Sequence, residues 1–148
     1  MRDPVTGFDY PGEWVARCTS PDTLRLVGEG RMVLTSSGSA LRRGFTTGTT
    51  AAAAAKAAVL SLAGPVDIVT VTLPCGIAVE IPAHGREGRA SCVKDAGDYP
   101  SDMTAGLEFI AEAERTPGSM TILFGDGVGR FVRDTPRYKA GAPAVSPP

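Results

Sequence analysis

One stretch, RRGFTTGTTAAAAAKAAVL at residues 42–60, limits what this chain can fold into more than any other. Alanine has the highest helix propensity of all residues, so the run from Ala51 predicts a helix. Each buried methyl returns only about 0.8 kcal/mol, however, so an alanine face is a weak way to build a core. Its physical use is close approach, because a helix faced with alanine lets another backbone lie almost against its own. A threonine ahead of the run, such as Thr49 or a neighbour, can cap the start, and Gly64-Pro65 supplies the stop. Something must come close to this helix, and a sheet and a ligand are the two candidates.

A sheet is available downstream. From residue 66 the pattern changes to alternation, with Val66, Ile68, Thr70 and Thr72 on one side and Val69, Val71 and Leu73 on the other. Pro74-Cys75-Gly76 predicts a tight turn, and residues 77–81 a partner strand. Residues 84–88, the polar HGREG, predict a turn, and residues 90–94 a third strand. Residues 102–114 predict a second helix with Met103, Leu107 and Ile110 as its apolar stripe, and residues 120–124 a short apolar strand. Upstream, residues 24–27 and 32–35 are strand candidates within an otherwise irregular arm pinned by Phe8, Tyr10 and Trp14. The expected organisation is an arm over residues 1–40, an α+β core over residues 41–133 and an extended, proline-containing tail over residues 134–148. In that core, helices pack on one face of a mixed, mainly antiparallel sheet.

Several function classes are disfavoured by composition. A 148-residue chain with 43% hydrophobic residues can bury a core without staples. The formal net charge of -1, with basic residues scattered, is not the footprint of a nucleic-acid binder. Cys18, Cys75 and Cys92 are odd in number and have no metal-ligand spacing, so neither a disulfide framework nor a metal centre is expected. No apolar run reaches the roughly 20 residues of a membrane span, and the start carries acidic residues and prolines where a secretory leader would be apolar. A cytoplasmic protein with no membrane partner is the expectation.

Three loops hold the candidate chemistry. The first is the helix start, residues 44–50, with Thr46, Thr47, Gly48, Thr49 and Thr50 as its donors and Arg42 and Arg43 just upstream. Unpaired N–H groups and the helix dipole make such a start suited to a carboxylate or phosphate; the alternative is that the threonines only cap the helix. The second is Lys94-Asp95-Ala96-Gly97-Asp98, followed by Asp102. Its carboxylates can orient a cationic group, take a proton, bind a hard metal, for which no fourth oxygen ligand or EF-hand spacing follows, or simply close turns. The third is the sequence GDGVGR, where Gly127 and Gly129 precede Arg130, whose planar fork suits a carboxylate. Its glycine pattern resembles nucleotide loops, but no helix start follows it. His84 has no neighbouring nucleophile in sequence, which argues against a Ser/His or Cys/His hydrolase.

Taken in order, DPVTGFDYPGEW, LRRGFTTGTTAAAAAKAAV, VTLPCGIAVEIP, VKDAGDYPSDMTAG, GDGVGR and GAPAVSPP resemble the cobalt-precorrin-5B (C1)-methyltransferases, the CbiD family of anaerobic cobalamin biosynthesis. The resemblance spans nearly the whole chain. It implies a ribosomal S5 domain 2-like α+β fold. It also implies methyl transfer from S-adenosylmethionine to C1 of a cobalt corrinoid, with the cobalt belonging to the substrate. Carried over to this sequence, it makes Asp95 and Asp98 the catalytic candidates. Arg43, Thr46, Thr47, Gly48, Thr49, Thr50, Lys94, Gly127, Gly129 and Arg130 become the substrate-binding candidates, and no residue is assigned to the donor.

Two departures qualify the resemblance. Where the family reads KDAGDDPDVTHG, this chain has Tyr99, an additional Ser101, and Ala105 in place of a histidine or asparagine. Family chains are also more than twice as long and continue into a Rossmann-like second domain, which is expected to be absent here and possible as a separately encoded partner. The alternatives are a corrinoid- or polyanion-binding module without methyl transfer and, third, a phosphate-handling enzyme that uses the threonine turn.

Overall fold

The computed structural model describes residues 1–145 and divides into two compact units, Met1–Glu114 and Arg115–Pro148. In the first, two short helices come first, α1 (Gly12–Arg17) and α2 (Pro21–Gly28). A hairpin follows, of β1 (Met32–Leu34) and β2 (Ala40–Arg42). Then come the long helix α3 (Thr47–Ser61) and four strands, β3 (Val66–Thr72), β4 (Ala78–Arg86), β5 (Arg89–Val93) and β6 (Glu108–Glu112). The four strands form one sheet in the order β3-β4-β5-β6, and every pairing is antiparallel. The architecture is α+β, with α3 touching all four strands from one face.

The alanine run explains how α3 sits. Thr50, Ala53, Ala54, Ala57, Ala58 and Ser61 form the buried stripe, at the spacing of one helix face. They close over Val69, Ile81, Ala83, Ala90 and Cys92 of the sheet, and Phe109 and Ala111 complete the cluster. The approach is close enough to need glycine on the other side: a Cβ at Gly85 would lie 2.7 Å from the Ala57 carbonyl oxygen. Small residues on the helix and a glycine in β4 are two halves of one contact.

That contact overturns the expected turn at residues 84–88. Residues 84–86 belong to β4, with His84, Gly85 and Arg86 opposite Ser91, Ala90 and Arg89. Only Glu87 and Gly88 make the turn, both at positive φ, as a tight two-residue hairpin requires. Gly85 reads as turn chemistry in sequence, but its place is set by the helix backbone above it.

The expected helix over residues 102–114 is also corrected. Asp102 closes a local turn by accepting from Thr104 N at 2.8 Å, Gly106 takes φ +74°, and the chain then runs as β6 against β5. Phe109 and Ala111 face the core, while the supposed stripe of Met103, Leu107 and Ile110 is exposed. Period two won over period 3.6 because the edge of β5 was open to pair. Residues 24–27 are not a strand but lie in α2, where Ser20 accepts from Thr23 N and Pro21 opens the helix. In α2, Val27 is fully buried, packing with Tyr10 and Leu34 in a second small core.

In the second unit, residues 120–124 do not form the expected strand; Met120, Ile122 and Leu123 stand exposed. Residues 129–144 double back instead of running extended. Arg130 bridges to Pro143, Phe131 stacks on Tyr138 at 4.6 Å, and Asp134 accepts from Ala140 N. The end of the expected tail, residues 146–148, lies outside the described residues. No helix among the described residues is long and apolar enough to cross a membrane.

Candidate functional site

Two of the three candidate loops meet. The chain leaves β2 at Arg42, passes Gly44 and Phe45, and enters α3. The Lys94 loop leaves β5 alongside it. Phe45 N donates to Asp95 O at 2.8 Å, Asp98 N donates to Arg42 O at 3.0 Å, and Arg42 N donates to the Asp98 carboxylate at 2.7 Å. The Arg42 guanidinium grips Asp95 with both arms, at 2.5 and 2.8 Å. Glycine makes the junction: a Cβ at Gly44 would lie 2.2 Å from the Ala96 carbonyl carbon. One at Gly97, which sits at φ +65°, would lie 2.3 Å from Arg42 O.

At the helix start Thr46 is the cap, with its hydroxyl accepting from Thr49 N at 3.1 Å. Thr50 is buried and returns its hydroxyl to Thr46 O at 2.9 Å. Thr47 and Gly48 are exposed, and among the described residues their N–H groups have no acceptor. The capping bonds therefore belong to Thr46, Thr49 and Thr50, while Thr47 and Gly48 present donors that no group among the described residues takes up.

The charged groups around this start are largely committed. Arg42 holds the Asp95 carboxyl below the ordinary carboxylate range, against a smaller opposing effect of burial, and Asp95 also accepts from Gly97 N at 2.8 Å. An acid so occupied is a weak proton acceptor and a firm loop anchor. Lys94 is buried, and its ammonium pairs with Asp102, whose carboxyl is lowered to about 2 by that contact and by Thr104. Arg43 turns away from the threonine turn. Its Nε donates to Gly30 O at 2.9 Å and its terminal nitrogen to Asp3 at 2.6 Å.

The third loop lies in the second unit. There Arg130 donates to Gly141 O at 2.9 Å, and Gly129 O accepts from Ala144 N at 2.7 Å. Gly127 takes φ +84°. Surface depressions lie away from the threonine turn, one lined by Ser61, Leu62 and Pro65 at the far end of α3 and one by His84, Arg89 and Ile110 on the open face of the sheet. Neither offers a donor-sized pocket beside the helix start.

Arg42 stands next to the expected anion turn rather than in it, and no local pattern marks Asp3 or Tyr10 for the site. The signal for Arg42 was present in complementary charge: a basic pair two residues ahead of an anion-suited turn, and an acidic loop with no other partner. Asp3 had no such signal, because it lies in the irregular arm, outside the three candidate loops.

The comparisons agree with one another. A family model described as CbiD matches residues 34–148. The cobalt-precorrin-5B C(1)-methyltransferase of Methanoregula boonei is 58% identical over 146 residues, covering 99% of this chain and 44% of that protein. The protein of the same name from Methanoculleus marisnigri is 59% identical over 150 residues, covering 100% and 44%. A crystal structure of the cobalamin biosynthesis protein CbiD from Archaeoglobus fulgidus superposes with a TM-score of 0.69 at 41% identity, covering 88% of this chain and 44% of that one. The chain thus spans less than half the length of the relatives it matches. With matching sequence over nearly its whole length and a matching α+β fold, this chain belongs to the CbiD family.

Proposed function

We propose that this chain serves the C1-methylation of cobalt-precorrin-5B in cobalamin biosynthesis, in the cytoplasm, and that its threonine turn binds a carboxylate of the corrinoid. The observation that carries this reading is the pair of free N–H groups of Thr47 and Gly48 at the start of α3, held in place by the docked Lys94 loop. A corrinoid precursor is rich in carboxylates, and a helix start of this kind binds them without needing a charged side chain. Asp95 and Asp98 orient the loop pair against the ring, and Lys94, anchored by Asp102, fixes the loop's base. In the second unit, taken by itself, Arg130 with Gly127 and Gly129 offers a guanidinium suited to a carboxylate. The methyl donor is S-adenosylmethionine, which supplies an electrophilic methyl group; none of the residues named above is proposed to hold it.

Calorimetric titration with a cobalt corrinoid and, separately, with S-adenosylmethionine tests this reading. Corrinoid binding is expected, and Gly48→Ala should weaken it about tenfold. The added methyl meets only Thr46 Oγ1, at 3.7 Å, so the fold tolerates it. Donor binding together with transfer of labelled methyl would establish a self-sufficient enzyme. Corrinoid binding alone would assign these residues the substrate half, with transfer requiring a longer or two-chain form. No corrinoid binding would sink the proposal, and a nucleotide response abolished by Thr49→Ala would replace it with a phosphate-handling role.

A further inference from the structure

The N-terminal turn is tied to the back of the candidate site by a buried carboxylate. Asp3 is only 2% exposed and yet accepts four hydrogen bonds: from Val5 N at 2.8 Å, Thr6 N at 3.2 Å, the Tyr10 hydroxyl at 2.8 Å and the Arg43 guanidinium at 2.6 Å. Tyr10 is buried too, and its oxygen accepts from Leu34 N in β1 at 3.3 Å. Arg43 adds backbone and side-chain bonds to Arg31 O and Gly30 O, and its backbone bridges Gly97 of the Lys94 loop. This one carboxylate gathers donors from the turn, from Tyr10 and from Arg43 at a single buried point, so replacing it would leave all of them unpaired and uncouple the three.

We propose that Asp3 is a positioning residue for the anion site: through Arg43 it sets the register in which residues 44–50 meet residues 95–98, and so the aim of the Thr47 and Gly48 N–H groups. This rests on the reading of the threonine turn as a carboxylate site. Arg43 lies between the two structures it joins, one residue before the glycine that touches Ala96 and four before the first free donor. The charge on Asp3 matters because, among the described residues, it is the one carboxylate within 4 Å of the Arg43 guanidinium, which is 17% exposed. Loss of that charge leaves a largely buried guanidinium without its paired carboxylate, and so loosens the segment that carries Arg43 into residues 44–50.

The test uses the full chain with Asp3→Asn, and Tyr10→Phe as a milder variant that keeps the ion pair. Amide hydrogen exchange is followed at Phe45 and Asp98, two amides that bond to backbone oxygens across the loops, and citrate serves as a polycarboxylate probe. Asp3→Asn is expected to speed exchange at both amides about tenfold and to weaken citrate about tenfold, with exchange at Val69 and Ile81 in the sheet unchanged. Tyr10→Phe should move the same readouts in the same direction by less, and it carries the test if Asp3→Asn fails to fold. Unchanged exchange at Phe45 and Asp98 with citrate still bound overturns the positioning role. Faster exchange with unchanged citrate affinity does so as well, because the latch would then be structural only. Failure of the unsubstituted chain to bind citrate overturns the carboxylate site itself, and the positioning role with it.

Discussion

Two regions of this chain invert the usual relation between hydrophobicity and burial. In α3, Ala53, Ala57 and Ala58 are wholly buried, although alanine is the weakest of the apolar side chains. In residues 115–145, Met120 and Leu123 are each 87% exposed and Val132 94% exposed, although each is far more hydrophobic. The difference is not the size of the apolar group but whether a second surface is shaped to receive it. The alanine stripe has a periodic face and a sheet with glycine at the point of contact. Residues 115–128 have neither helix nor strand, only bends and one tight turn at residues 126–127.

The largest expected effect breaks the first side of that comparison. Gly85→Val drives a branched side chain into the Ala57 carbonyl and should cost about 3 kcal/mol or unfold the chain, read as a fall in the urea midpoint. A midpoint within experimental error of the unsubstituted chain would show that the close approach is not what holds α3.

Acid should act next, and on the loops around α3 rather than on its alanines. Asp3, Asp95 and Asp102 all have carboxyls held below the ordinary carboxylate range, Asp102 at about 2. Groups lowered on folding contribute stability above their unfolded value, and it is lost as pH falls through the folded value. Thermal midpoints should therefore hold from pH 7 to about 5 and fall between about pH 4 and 2. Asp102→Asn should remove part of that decline, and an identical decline in the variant would exclude the Lys94 pair as its source.

A smaller loss, about 1 kcal/mol by denaturant titration, is expected for Thr46→Ala, which removes the cap of α3 without touching its buried stripe. Thr46→Ser should restore most of it; a serine variant as unstable as the alanine one would mean the methyl group, not the hydroxyl, is what counts. The smallest effect sharpens the other side of the comparison. Leu123→Ser should change stability by less than about 0.5 kcal/mol, because an exposed side chain has no burial to lose. A loss above 1 kcal/mol would show that Leu123 is covered in solution.

Strong periodicity made parts of the fold legible in the sequence. The alanine helix, its threonine cap, β3 and the start of β4 follow from pattern alone, as does the α+β class. Two failures came from local signals that tertiary contacts outvoted. Gly85 looked like a turn and was a packing contact. Met103, Leu107 and Ile110 looked like a helical stripe, but the free edge of β5 drew the chain into a strand whose inward residues are Phe109 and Ala111. The strand expected at residues 120–124 failed for the opposite reason, since no neighbouring edge among the described residues pairs with it.

The same division runs through the candidate site. Sequence alone determined that a helix would begin in a threonine-glycine turn beside two arginines, and that an acidic loop would follow some fifty residues later, because turn chemistry and helix propensity are local properties. Only the tertiary structure decided that the two loops touch, that Arg42 serves Asp95 while Arg43 turns back to Asp3, and that Thr47 and Gly48 keep their donors free. Those are choices among partners distant in the chain. The partner an arginine finds is set by which carboxylate the packing of α3 on the sheet brings within about 3 Å, and no local pattern carries that distance.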